Sequence, residues 1–216
     1  MRYILSTSLF LIVALNCFAQ SFEGQINLIR VIGTDTASYR YYVKTPNIRI
    51  EELDKKGKVQ GYLIMNTIAN KVYAVSPVKK AWIDVASHEQ TTVEGKVECI
   101  KTKETKLVAG TKCTKWLVTN TKEKTMIDYW VASGFDFFID HLKLLNRKEK
   151  LATYFINLPT NQGFLPLEAQ QYIKEAGIKA QPTQYTKTIK LERKIIDMKL
   201  FTVPTEYRKF NMDVKI

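Results

Sequence analysis

The 216-residue chain is poor in residues that staple, bend or catalyse: 3 Cys, 9 Gly, 6 Pro and 2 His. So few cysteines exclude a disulfide scaffold, and so little Gly and Pro excludes collagen-like and low-complexity chains. The two histidines, His88 and His141, have no HxxxH spacing and no neighbouring cysteine, so no metal site is expected. No G-x-S-x-G, P-loop or G-x-G-x-x-G occurs. The paired carboxylates, Glu51-Glu52 and Asp136/Asp140, fall at a strand edge and a helix start, where structural roles suffice. His141 reads as a helix-surface residue. The expectation is a protein with no enzymatic activity and no cofactor. Acid is scarce as well: 21 Asp+Glu stand against 33 Lys+Arg, a net charge of +12.

The N-terminus reads MRYILSTSLFLIVALNCFAQ. Arg2 precedes an apolar run from Leu9 to Leu15, and small or polar residues follow, which is the order of a secretory signal. That run is far short of the ~20 residues needed to span a bilayer. Cys17 and Ala19 are small enough for the −3 and −1 pockets of a type I peptidase. Cleavage is therefore predicted before Gln20, leaving a signal peptide at 1–19 and one domain at 20–216. In the rival reading Cys17 is a lipidated anchor, but Asn16 fits a lipobox poorly, so periplasmic export in soluble form is expected. Losing residues 1–19 removes one arginine and no acid, so the mature chain stays basic. An exported protein does not meet nucleic acid, and no nucleic-acid partner is expected. The lysines are spread along the chain (Lys55, Lys56, Lys58; Lys101, Lys103, Lys106). They fit a solvated β-surface, or attraction to an anionic membrane face or acidic glycans.

From Phe22 onward the pattern is mainly period two. Phe22, Gly24, Ile26 and Leu28 alternate with polar residues, and 47–66 reads as a hairpin around Lys55-Lys56-Gly57-Lys58. Short strands follow at 71–76, 81–85, 96–102, 106–109, 112–119 and 125–132. With no long helical crossovers between them, they form antiparallel meanders. At Ser133-Gly134-Phe135-Asp136 the pattern becomes an S-x-x-D helix start, and Phe135, Phe138, Leu142 and Leu145 follow at helical spacing. A helix over 135–147 is predicted, with an arc wide enough to be covered on more than one side. Residues 151–158 read as a strand, 167–175 as strand or helix, and 183–195 as a strand. Cys99 and Cys113 sit on neighbouring predicted strands. They are either bridged by a disulfide or two buried free thiols.

The stretch Lys103–Trp116, KETKLVAGTKCTKW, resembles a signature of exported proteins in domain-of-unknown-function family 4412, at Thr105, Lys106, Gly110 and Cys113. Trp130-Val131, Gly163 with Pro166-Leu167, and Leu200-Phe201, Val203-Pro204 and Tyr207 resemble its later motifs, in order. Glu104 and Thr111 depart from the pattern. The resemblance implies a curved antiparallel half-barrel wrapped round helix, similar to periplasmic lipoprotein carriers, and tips 167–173 toward strand. It agrees with the mainly β (α+β) class read from the residues.

Aromatic residues are plentiful, with 11 Tyr, 10 Phe and 3 Trp. In a half-barrel they either fill the core between sheet and helix or line a concave face that receives a hydrocarbon chain. The candidate ligand-binding residues are Trp82, Trp116, Trp130, Phe135, Phe138, Leu142 and Leu145. The partner would be a lipid or an acylated protein. The alternative is an envelope interaction module that uses its basic face and sheet edges.

Overall fold

The computed structural model describes residues 21–85, 92–145, 148–175, 178–179 and 182–210. The predicted signal sequence with Cys17, and His88, lie outside them. The chain builds β1 (Glu23–Ile32), β2 (Asp35–Lys44), β3 (Asn47–Leu53), β4 (Val59–Asn66), β5 (Lys71–Ser76) and β6 (Ala81–Asp84). It continues through β7 (Glu98–Val108), β8 (Thr111–Asn120) and β9 (Thr125–Ser133) to the helices α1 (Phe137–Leu145) and α2 (Lys150–Ile156). Then come β10 (Phe164–Glu175), β11 (Ile178–Lys179), β12 (Gln184–Arg193) and β13 (Arg208–Lys209). The strands form one open curved sheet in the order β13-β6-β5-β4-β3-β2-β1-β12-β10-β9-β8-β7, with β11 paired to β10. Among the described residues all pairings are antiparallel except β13 on β6. The expected half-barrel is the fold found, with two helices in place of one.

Alternation assigns each face. The register row Ile26, Tyr41, Ile50, Leu63 and Ala74 runs across β1 to β5 on the concave, helix-bearing side. The neighbouring row Arg40, Glu51, Tyr62, Val75 and Trp82 lies on the outer side. There the C-terminal segment covers it: Ile196 and Phe201 are buried against Tyr62, Ile64 and Val75. Arg49 ties the segment down by donating to the Leu200 carbonyl at 3.1 Å while stacking over Tyr62.

The helices occupy the concave side because only there can their apolar arcs leave water. In α1, Phe137, Ile139, His141 and Leu142 are buried. Phe137 joins a cluster with Phe22, Val43 and Ile48, whereas Ile139 and Leu142 join one with Trp116, Tyr129 and Phe155. The arc is thus covered on two sides. Each of these large apolar groups gains roughly 1.5–3 kcal/mol on full burial.

Several expectations are corrected. Residues 151–158 read as a strand, yet Lys150–Ile156 is helical. Leu151, Tyr154, Phe155 and Leu158 stand at i, i+3, i+4 and i+7, and all four are buried. The high strand propensity of Tyr-Phe-Ile hides that spacing. Ser133 ends β9 and does not open the helix, which starts four residues later. The entry is held by Gly163, whose carbonyl accepts from the amides of Gly134 and Phe135 at 2.9 and 3.0 Å. Gly163 sits at φ +78°, and a Cβ there would press on the Asp136 carboxylate. His141 is not on the helix surface: it is buried between the rings of Tyr41 and Phe138, with centroids 5.5 and 5.7 Å away. The ambiguous stretch 167–173 is strand, within β10.

The cysteines are not bridged. Cys113 faces Lys106 across the β7–β8 ladder, and Cys99 faces Val118. Five residues of β8 separate the two positions, roughly 17 Å at strand rise, beyond what a disulfide spans. Both thiols are free.

Candidate functional site

The concave side is not filled throughout. A chamber of about 110 Å³ lies between the helices and the strands β1, β2, β9, β10 and β12. Its walls are mostly apolar, with Ile26, Leu28, Tyr129, Phe138, Leu142 and Leu165 among them. A wider groove of about 670 Å³ opens beside it over β3 to β6, walled by Ile50, Leu63, Ala74 and Ile83. The chamber is smaller than the ~150 Å³ apolar cavity that accepts benzene. The groove falls within the ~300–1,000 Å³ of small-molecule sites.

Arg30, Tyr39 and Glu149 border both spaces. Arg30 pairs with Glu149 at 2.6 Å and donates to the Tyr39 hydroxyl at 2.6 Å. Its guanidinium also lies 5.1 Å from the centre of the Tyr39 ring. This pair joins strand β1 to the residue that precedes α2, so it is a polar partition between chamber and groove. Sequence reading missed it. The available signal was Arg30 itself, a single cation inside the apolar run Leu28–Ile32.

The aromatic candidates separate into distinct places. Phe138 and Leu142 line the chamber. Trp82, on β6 at the edge region of the sheet, carries its ring on the outer face, edge-on against Tyr73. Trp116 is buried in core, 5.0 Å from Phe164 and 6.1 Å from Phe155 between ring centres. Phe135 packs on Phe22 at 5.1 Å, and Leu145 packs against the same cluster. Trp130 points away from the concave face. Its neighbour Tyr129 faces the helices, so alternation sends Trp130 outward. There Lys106 lies 4.3 Å and Lys115 5.9 Å from its ring centre. The expected cluster of seven is therefore two wall residues, three core residues and two outer-face residues.

Neither Cys99 nor Cys113 lines the chamber or the groove. Burial pushes the Cys113 thiol up to about 11 and raises Cys99 as well. Among the described residues no three His, Cys, Asp or Glu side chains converge as metal ligands. No described helix is long and apolar enough to cross a membrane.

A family model, described as a domain of unknown function (DUF4412), matches residues 22–207. The chain belongs to the DUF4412 family. Of the residues that carried the resemblance, Gly110 lies in the β7–β8 turn, Gly163 at the entry to α1, and Phe201 in the C-terminal segment that covers the outer face. No curated protein matches the chain. Among solved structures, an uncharacterized conserved protein from Thermus thermophilus is similar at 10% identity and a TM-score of 0.51, covering 89% of this chain and 91% of that one. MucB in the Pseudomonas aeruginosa MucA/MucB complex is similar at 10% identity and a TM-score of 0.51. That match covers 87% of this chain and 58% of MucB, so the chain spans little over half of MucB's length. These likenesses establish the shared fold.

Proposed function

We propose that this DUF4412 protein is exported and binds an apolar chain, from a lipid or an acylated protein, in the concave groove. The observation that carries this reading is the adjacency of the two spaces. An apolar chamber too small for a whole ligand and a groove of ligand size share Arg30, Tyr39 and Glu149 as their common wall. A hydrocarbon chain laid along Leu63 and Ala74 would place its end toward Phe138 and Leu142. The polar residues at the partition are engaged with one another, which suits a binding site and not a catalytic one. Export is supported by the Arg2, Leu9–Leu15 and Ala19 arrangement. Native mass spectrometry of protein recovered from cells is the test: a co-purifying lipid or acylated peptide is expected. Apo protein that also leaves a fluorescent fatty acid unbound would sink the reading.

The second reading is an interaction module of the envelope. It is favoured by the likeness to MucB, which has been solved in complex with MucA. A partner captured with its chain seated outside the groove, by cross-linking in cells, would favour it over the first.

A further inference from the structure

Three hairpin turns lie at the same end of β1 to β6. They are Gly33-Thr34 between β1 and β2, residues 54–58 between β3 and β4, and residues 77–80 between β5 and β6. Parallel pairing brings Arg208 of β13 beside Ala81, to the same rim. The rim thus gathers Lys55, Lys56, Lys58, Lys79, Lys80 and Arg208, all exposed. Successive turns are two strands apart, so the row extends roughly 19 Å at ordinary strand spacing.

These cations differ from most others on the molecule. Lys106, Lys115, Lys187 and Lys194 each have a carboxylate partner. The six on the rim have none among the described residues. The acids beside them, Asp35, Asp54 and Glu206, form no ion pair with them; Asp54 instead accepts the amides of Lys56 and Lys58 at 2.8 Å, within its own turn. Apolar side chains stand out of the same rim. Val78, at the tip next to Lys79 and Lys80, is 77% exposed, and Ile32 is 44% exposed. At the other end of these strands the turns Thr45-Pro46 and Thr67–Asn70 hold no charged residue.

We infer that this rim docks the protein on an anionic lipid surface. Unpaired lysines supply attraction to the phosphates, and Val78 and Ile32 enter the boundary between headgroups and acyl chains. A soluble acidic protein would match the charge and leave the apolar tips in water, so the bilayer is the better occupant. The inference rests on the groove reading for its purpose. Ser76, Lys79 and Ala81 at this rim also line the groove, so docking turns the groove's open end to the membrane.

The test is co-sedimentation of the purified protein with phosphatidylglycerol-rich vesicles and with pure phosphatidylcholine vesicles. Binding is expected only to the former and should weaken with salt. Each lysine near an anionic surface contributes roughly fivefold in partitioning, so K55Q/K56Q/K58Q/K79Q/K80Q should lose at least about a hundredfold. Val78→Ser should lose several-fold at unchanged charge. A charge-matched control, K103Q/K112Q/K143Q/K190Q/K199Q, should lose far less. Equal binding to both vesicles, no binding, or an equal loss in the control overturns the proposal. So does binding to soluble polyglutamate as strong as to vesicles with Val78→Ser without effect, which would point to an acidic protein. A fluorescent fatty acid in vesicle-free buffer reports the groove separately and should bind K55Q/K56Q/K58Q/K80Q, which keeps the groove residue Lys79, normally. Vesicle binding without fatty-acid binding would uphold the rim and defeat the groove; the reverse would defeat the rim.

Discussion

Along β8 and β9 the concave face is closed by rings: Trp116, Tyr129 and Phe155 pack together under α1 and α2, and all three are buried. Along β3 to β6 the same face meets an open groove, where Leu63, Ala74 and Ile83 are only partly covered. The strands of both regions alternate in the same way, so strand pattern does not explain the difference. The helices do. α1 and α2 together offer one aromatic-rich face, and two short helices cannot cover a sheet this wide. The outer face shows the reverse arrangement, since the C-terminal segment covers β3 to β6 there. The strands nearest the groove therefore gain their burial from behind, which leaves their concave side available.

The largest expected effect lies in the filled half. Phe155 is fully buried and touches the rings of Trp116, Tyr129 and Phe138. Phe155→Ala should cost about 3–5 kcal/mol in denaturant unfolding. A cost below about 1.5 kcal/mol, the range of conservative core changes, would mean that this half is as loose as the other.

Next comes the polar tie that holds α2 to the β8–β9 turn. The buried Tyr154 hydroxyl donates to Glu123 at 2.9 Å, and Glu123 also pairs with Lys150. Tyr154→Phe should cost about 1.5–3 kcal/mol, the range for hydrogen bonds to charged groups. Its pH dependence follows from two opposite shifts. Burial, with Glu123 beside it, pushes the Tyr154 phenol up to about 12. Its contribution is therefore complete below the ordinary value near 10 and is lost as pH rises toward 12. Burial acts to raise Glu123, but Lys150, Tyr154 and the Glu94 amide outweigh it and hold the carboxyl low. That contribution is present above the ordinary carboxylate range and is lost as pH falls through the lowered value. Stability profiles of wild type and Tyr154→Phe should converge above pH 12; a constant gap throughout would refute the assignment.

Phe138 stands at the boundary between the two regions, packed on Phe155 on one side and lining the chamber on the other. Phe138→Ala should cost about 1–2 kcal/mol, less than Phe155→Ala because part of its surface already faces empty space. It should also raise binding of an apolar dye by enlarging the chamber. A loss as large as that of Phe155→Ala, with dye binding unchanged, would show a filled core throughout.

Much of this is legible in the residues. Alternation at Ile26–Leu28 and Ile48–Ile50 assigns strand and face together, because each strand has one wet side. The helix at 137–145 is visible because Phe138, Leu142 and Leu145 recur on one arc. Legibility fails where two periodicities compete, as in Leu151–Leu158, and where a property belongs to two segments at once. The Arg30–Glu149 partition joins residues 119 positions apart, and no local pattern announces it. The cysteines show the same limit: the pattern implies adjacent strands, but the ladder register and the bulge between Lys101 and Thr105 decide which residues meet. Trp130 is misplaced by the sequence reading because aromatic character says nothing about which side of a strand a residue takes.

The smallest stability effect should accompany a clear change in binding. Leu63 lies in the concave row between Ile50 and Ala74, half-buried, with its side chain on the groove wall. Truncation there leaves a site already open to solvent, so no sealed cavity forms and the surrounding chain has nothing to collapse around. Leu63→Ala should therefore cost no more than about 1 kcal/mol, below the ~2–5 kcal/mol of a fully buried leucine. If the groove holds a hydrocarbon chain, the lost methyl groups were part of its wall, and affinity for a fluorescent fatty acid should fall by roughly three- to tenfold, the value of about one buried CH₂ or slightly more. Leu142→Ala, in the chamber, gives the complementary case: a larger stability cost and a smaller change in affinity, if only the tip of the chain reaches that far. Urea unfolding and dye titration on the same two variants decide the matter. Equal costs and unchanged affinity in both would erase the distinction between filled and open halves.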